Sequence, residues 1–309
     1  MTIEMAILKG QNFRILTFDT TTEKYKCVGM ATNCTVSLNT NTESIATKDD
    51  YILAEKPAVV SKSWQVQVDS LDVSDVAALL TAIKNFTKFK LLWTETMTMD
   101  NQAPELDVPF ARTGDALLTD ATFQFDDRTN STKSLQFTGV SPIAVLSDDP
   151  PYESVIVSTI TKGQYVRLFL SSNNTLAPAK VIAAAKQLSL HISVSLEDST
   201  TKDTDGDFQV QEPTALNYDI SSNALVRSGE TITSSVDGMT YNAIQEVYEV
   251  SEPVKWQIAN VSGANNRTKG SIIASGSCIV SQLQVSAANR ATATYQTSLT
   301  GYGAYTVGA

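Results

Sequence analysis

The chain is written twice. Lys9, Gly10, Gln11 and Arg14 recur as Lys162, Gly163, Gln164 and Arg167 at a constant offset of 153, and Thr47-Lys48-Asp49 recurs as Thr201-Lys202-Asp203 at 154. Trp64, Val66 and Leu71 fall opposite Tyr218, Ile220 and Leu225 in that same register. After an insertion near Ser228 to Ser235 the offset grows, so that Phe89-Lys90-Leu91 faces Val254-Lys255-Trp256 and Phe137-Thr138-Gly139 faces Leu299-Thr300-Gly301. A repeat of roughly 150 residues is the size of a whole domain, not of a solenoid unit. The expectation is a tandem domain duplication over 309 residues, with repeat 1 at 1–149, repeat 2 at 150–309, and the turn-prone Asp148-Asp149-Pro150-Pro151 as linker.

Alternation sets the fold class. In Asn33 to Leu38, Cys34, Val36 and Leu38 share one face while Thr35, Ser37 and Asn39 take the other, which is the period of a half-buried strand. Phe13 to Phe18, Tyr25 to Met30, Trp64 to Val68, Lys88 to Trp93, Ala116 to Phe125 and Ser134 to Val140 read the same way. Between them Val76, Leu79, Leu80 and Ile83 form an i, i+3, i+4, i+7 stripe behind a candidate cap at Asp72 or Ser74. The second copy repeats the order with strands at Tyr165 to Leu170, Gln187 to Val194, Leu216 to Val226, Val254 to Ala259, Ser271 to Val285 and Ala291 to Thr300. Its helix runs from about Asp237 to Val250, with Tyr241, Ile244, Val247 and Tyr248 as the stripe and Pro253 beyond the end. The expected fold is mainly β with one helix per domain: two tandem β-sandwich or barrel domains.

Two polar stretches, Asn39 to Lys62 and Thr94 to Gly114, lose the alternation and read as long connections. Charge and rare residues narrow the function. A net charge of -10 and a pI near 4.7 argue against a nucleic-acid-binding surface, which needs clustered Lys and Arg. No run approaches the ~18 apolar residues of a membrane span, so there is no membrane anchor to expect, and the amino terminus lacks the pattern of a secretory leader. Cys27, Cys34 and Cys278 lack metal or disulfide spacing, and His191 alternates with Leu190 and Ile192 as a strand-face residue. Asp126-Asp127 and Asp148-Asp149 are adjacent carboxylates that point to opposite faces of a strand and read as turns. Asp203-Thr204-Asp205-Gly206-Asp207 resembles part of a calcium loop but lacks the closing Glu. No phosphate loop, nucleophile elbow or dinucleotide fingerprint occurs. The expectation is a protein with no catalysis, no metal and no cofactor.

Cys34-Thr35-Val36-Ser37-Leu38-Asn39, Thr47-Lys48-Asp49-Asp50, Lys62-Ser63-Trp64-Gln65-Val66-Gln67-Val68-Asp69-Ser70-Leu71 and Gln136-Phe137-Thr138-Gly139-Val140, in that order, resemble the major tail tube protein of long-tailed bacteriophages. Repeat 2 keeps the skeleton more loosely, as in Thr201-Lys202-Asp203 and Leu299-Thr300-Gly301. The resemblance implies two tail-tube-like domains whose sheets build a ring, with rings stacked into a hollow tube. Its partners would be further copies of itself, the tape-measure protein, and tail terminator and baseplate proteins. DNA would pass through the lumen without specific binding. The protein would be made in the host cytoplasm and reside in the virion tail. A duplicated chain would supply a pseudo-hexameric ring as a trimer. The long loops would reach the next ring, which makes Thr47, Lys48, Asp49, Asp50, Tyr51, Ile52 and Leu53, with Thr201, Lys202, Asp203, Phe208 and Val210, the candidate inter-ring residues. The same loops folding back on their own domain would give the same sequence, and the tails Met1 to Leu8 and Tyr302 to Ala309 are further candidates. The inner tube of a contractile injection or secretion system fits the same pattern, and a two-domain surface adhesin or pilus subunit fits at the level of composition.

Overall fold

The computed structural model describes residues 13–45, 57–71, 73–95, 111–146, 160–175, 177–178, 180–182, 184–201, 207–226, 238–262 and 268–308. The first half contains β1 (Phe13–Asp19), β2 (Lys24–Cys27), β3 (Ala31–Ser44), β4 (Pro57–Ser70), α1 (Val76–Lys84), β5 (Lys88–Glu95), β6 (Arg112–Asp126), β7 (Thr132–Gly139) and the short β8 (Ala144–Val145). The second contains β9 (Val166–Leu170), β10 (Lys180–Val181), β11 (Ala185–Asp198), β12 (Gln211–Leu225), α2 (Tyr241–Val250), β13 (Val254–Ser262), β14 (Thr268–Ser286) and β15 (Thr294–Val307). A 3-10 turn at Gly163–Tyr165 leads into β9.

Pairing follows one plan in both halves. The first is ordered β2-β1-β5-β6-β7-β4-β3 and the second β10-β9-β13-β14-β15-β12-β11, all antiparallel. Registers repeat residue by residue. Val36 lies opposite Val66, which lies opposite Phe137; Leu190 lies opposite Ile220, which lies opposite Leu299. Even the irregularities match. The register slips between Leu118 and Asp120 in one half and between Val280 and Gln282 in the other. It slips again between Asn41 and Thr42, and between Ser195 and Leu196. A one-residue slip reverses every side chain beyond it, so shared slips keep the same residues facing inward.

The core lies between the sheet folded on itself and the two helices. α1 presents Val76, Leu79, Leu80 and Ile83 to it, and α2 presents Ile244 and Val247, each stripe being the apolar side of an amphipathic helix. Trp64, Val66, Val68, Phe123, Phe125, Leu135 and Phe137 form its first-half floor; Tyr218, Ile220, Ala224, Trp256, Tyr295 and Leu299 form the second. These residues belong to a single cluster that spans both halves. The halves join where seven residues of β11, Gln187 to Ser193, run antiparallel to Asp126 to Asp120 of β6. The joint is tightened by Tyr305, whose hydroxyl donates to the Leu80 carbonyl at 2.7 Å, and by the β6–β7 turn, where Ser131 N–H donates to Thr161 and Gly163 N–H to Thr129.

Three sequence expectations change. Asn39 to Lys62 is in its described parts not an unpaired connection, because β3 continues to Ser44 and β4 begins at Pro57; β11 and β12 extend in the same way to Asp198 and from Gln211. Both faces of the β3 arm from Thr40 to Ser44 meet water, so its ladder forms without any apolar phase to betray it, whereas Leu196 and Leu216 in the second-half arms pack on the core. Tyr302 to Gly308, the described part of the expected Tyr302 to Ala309 tail, is no tail: β15 runs to Val307 and seals Tyr305 inside. α1 starts after Asp75, whose carboxylate makes no capping bond and instead accepts Lys133 Nζ at 2.5 Å. Ser74 does not occupy the cap position, and Asp72, the Pro150-Pro151 linker and the Ser228 to Ser235 insertion lie outside the described residues.

Candidate functional surface

Because neighbours on a strand alternate sides, burying one side of the sheet dictates the other. Eight strands, β3-β4-β7-β6-β11-β12-β15-β14, are joined edge to edge, and the side turned away from the core can be read row by row. Thr35 stands opposite Gln67, Gln67 opposite Gln136, and Gln136 opposite Asp120. Across the joint, Asp120 faces Ser193, and Thr122 faces His191, which in turn faces Asp219. The rows continue through Asp219 opposite Thr300, Ser221 opposite Ser298 and Ser298 opposite Gln282. Hydroxyls and amides dominate. The charged groups in these rows are Asp69, Asp120, Asp126 and Asp219 beside the single histidine; Lys and Arg are absent from them among the described residues.

Hydrogen bonds hold two of the carboxylates in place. Asp69 accepts from Ser134 Oγ at 2.6 Å and from Asn33 Nδ2 at 3.2 Å. Asp120 Oδ2 lies 2.7 Å from His191 Nε2, with both side chains partly open to solvent. His191 bridges the two halves here, and no third residue among the described ones completes a relay. No group of three or more metal-ligating side chains occurs among the described residues. Chemically the face offers hydrogen bonds and negative charge spread over a broad surface. Thr35, Ser37, Asn39, Ser189, His191 and Ser193 were legible as its members from alternation; the rows on β6, β12, β14 and β15 were not assigned, although Asp120, Thr122 and Gln124 alternate with buried Ala121, Phe123 and Phe125.

The three cysteines behave as packing. Cys278 is sealed in the core and burial pushes its thiol up to about 12; Cys27 and Cys34 are partly buried, and desolvation raises both as well. All three would be poor nucleophiles.

Among the loop candidates, Thr47, Lys48, Asp49, Asp50, Tyr51, Ile52, Leu53, Lys202 and Asp203 lie outside the described residues, as does most of the calcium-loop-like stretch. Thr201 is exposed and Val210 is half-buried beside Ser199. Phe208 packs against the chain's own core, bridged to Lys62, while Lys62 Nζ meets Asp207 at 3.0 Å. Sequence reading missed what the repeated Lys-Gly-Gln motif does in its second copy. Gly163 sits so tightly on the end of β6 that a Cβ there would fall 2.3 Å from the Asp126 carbonyl oxygen. The motif's recurrence was the signal; the Lys9-Gly10-Gln11 copy is outside the described residues.

No protein-family model and no curated relative matches the chain. Similar solved structures come from gene transfer agent particles and from a tail tube. A chain from the tail of an empty GTA particle with C6 symmetry is 13% identical, with a TM-score of 0.36 over 47% of this chain and 96% of its own. One from the virion of a native gene transfer agent particle is 12% identical at a TM-score of 0.35, over 48% and 99%. The SPP1 tail tube protein is 14% identical at 0.34, over 46% and 75%. The functional reading rests on the chain's own geometry.

Proposed function

We propose that this chain is the structural subunit of a phage tail tube, a tandem duplication of one tube domain at 1–149 and 150–309, and that three copies close a pseudo-hexameric ring whose stacking makes the tube. The observation that carries the reading is the eight-stranded polar face, continuous across both halves and free of Lys and Arg among its described rows. The repeated pairing plan and the tail-tube motifs quoted from the sequence support it. Three such faces make about 24 strands, and at ~4.8 Å per strand their circumference is ~115 Å, a backbone diameter of ~37 Å before strand tilt enlarges it. Such a bore is wide enough for duplex DNA.

A lumen of hydroxyls, amides and scattered Asp residues suits passage. Charges further apart than about 8 Å are screened at physiological salt, so the carboxylates would discourage phosphate adsorption without a long-range barrier. No basic side chain would trap the polymer. The role is mechanical, with no catalysis, cofactor or metal. The partners are other copies, the tape-measure protein, and terminator and baseplate proteins; the site of action is the virion tail after synthesis in the host cytoplasm. Cryo-electron microscopy of the purified protein tests this: hollow tubes of three-chain rings with β strands around the bore are expected. Six whole chains per ring would remove the trimer, and a protein that remains monomeric through concentration and salt screens would overturn the tube.

A further inference from the structure

The joint between the two halves also describes a second joint that this chain leaves open. β6 can host β11 because its partner β5 stops at Lys88, opposite Leu117, which leaves the next stretch of β6 free from Asp120 onward. β14 ends its pairing with β13 in the corresponding way, at Val254 opposite Cys278, and beyond that point, among the described residues, it pairs only with β15. Its free edge is Gln282 to Ser286. The counterpart of β11 is β3, which among the described residues pairs only with β4 and is free along its other edge. One chain therefore carries one joined pair of edges and one unjoined pair of the same kind.

Burial at matching positions shows what the open edges lack. Ile192 in the joint is 1% exposed, whereas Leu38 at the same place on β3 is 66% exposed; Phe123 is 0% exposed and its counterpart Val285 is 43% exposed. β3 still carries an apolar phase of Cys34, Val36 and Leu38, although nothing among the described residues covers Leu38. Neither edge is protected in the ways a solitary sheet uses. There is no Pro or Lys in β3, and no charge or Pro from Gln282 to Ser286.

We propose, on the tube-subunit reading, that β3 of one copy pairs antiparallel with the free edge of β14 in a second copy, in the register that sets Val36 opposite Val285 and Leu38 opposite Leu283. That register is the β11–β6 register carried over, in which Leu190 faces Phe123 and Ile192 faces Ala121. The occupant is a second copy because both strands belong to this chain and their counterparts already fit each other. The contact is head to tail, which closes into a ring when the rotation per copy divides a full turn. Ser37 and Gln282 would stand where His191 and Asp120 meet, able to replace that contact by a neutral hydrogen bond.

The register can be trapped. Asp127 N–H donates to the Lys186 carbonyl, which makes the Lys186–Asp127 pair hydrogen-bonded and the Thr122–His191 pair, five positions on, non-hydrogen-bonded. Ser37 and Gln284 inherit that spacing, about 4.5 Å between Cα atoms, within disulfide reach. In a Cys34→Val background, Ser37→Cys with Gln284→Cys should cross-link most chains of the assembled protein into covalent multimers ending at the closed ring. Thr35→Cys with Gln282→Cys, four residues out of register, should give at least tenfold less. Tubes without the Ser37–Gln284 cross-link would overturn the seam and leave the tube standing; the specific cross-link without tubes would keep the seam and remove the tube. Leu38→Lys gives a second check, since an exposed position should leave the monomer's melting temperature unchanged while abolishing assembly. Normal assembly of that variant would overturn the proposal.

Discussion

At the centre of the first half stands Trp64, and at the same place in the second stands Tyr218, each pressed on two glycines. A Cβ on Gly139 would lie 2.1 Å from the Trp64 ring and one on Gly114 2.6 Å; on Gly301 it would lie 2.6 Å from the Tyr218 ring, and on Gly276 3.0 Å from both the Tyr218 hydroxyl and Trp256 Nε1. The Trp64 indole donates to the Ser141 carbonyl at 2.7 Å, and the Tyr218 hydroxyl to the Ser277 carbonyl at 2.5 Å. Ring and polar handle differ, while the flat slot left by missing side chains is the same. The backbone plan is thus held by strand register and by glycines that let an aromatic ring lie against the neighbouring strands, more than by the identity of the ring.

The comparison is broken most directly by emptying each slot. Trp64→Ala and Tyr218→Ala should each cost about 3–5 kcal/mol, the usual loss for a buried aromatic ring, read as a shift in the denaturation midpoint. Similar losses would support equivalent halves. A loss under about 1 kcal/mol at Tyr218 would show that the second slot is not doing the same structural job.

The next effect falls where the halves differ in chemistry. Lys133 on β7 is sealed from solvent and reaches Asp75 at the head of α1; the matching residue on β15 is Tyr295, which packs on Tyr241 at the head of α2, ring centroids 5.8 Å apart. One half anchors its helix with an ion pair and the other with an aromatic pair. Asp75→Asn should cost about 2–3 kcal/mol, below the 3–5 of a fully enclosed pair because Asp75 is half open to water. Lys133→Met, which removes the buried ammonium instead of orphaning it, should cost less. If Lys133→Met proves the worse of the two, the ion pair is not what fixes α1.

Gly163→Val sharpens the comparison at the joint. Its side chain would meet backbone at Asp126, which cannot swing aside, and overpacking of this kind costs about 1–3 kcal/mol. Hydrogen exchange should show the opening concentrated in β6 and β11. A uniform change over both halves would deny that the joint is a separable element.

Much of this was legible in the residues, and the remainder has a physical explanation. Alternation marked the core strands because one side is dry: Val66 and Val68 inward, Gln65 and Gln67 outward. The Val76, Leu79, Leu80, Ile83 stripe marked α1 for the same reason. The hairpin arms were illegible because Thr40 to Ser44 is wet on both sides, and the last strand because Tyr305 is its sole sealed side chain beyond Gly301. The polar face was half legible. Its members could be read strand by strand, but only pairing across β6 and β11 makes them one surface, and period-two patterning carries no information about which strand lies next.

The smallest expected effect concerns Tyr295. Its hydroxyl is buried with no hydrogen-bond partner among the described residues, and burial pushes its ionisation up to about 12. In the first half the same position holds a polar group with a partner, Lys133 with Asp75. If the second half has exchanged that pair for ring packing alone, the hydroxyl contributes nothing that a hydrogen would not. Removing an unsatisfied polar group from an apolar site is neutral or mildly stabilising, so Tyr295→Phe should change stability by less than about 1 kcal/mol and in the favourable direction. Tyr295→Lys distinguishes packing from polarity: with Tyr241 in place of an acid, the new ammonium has no counter-charge, and the variant should lose several times what Asp75→Asn loses. A large destabilisation by Tyr295→Phe would mean that the hydroxyl does hold the head of α2, and that the two halves anchor their helices in the same polar way.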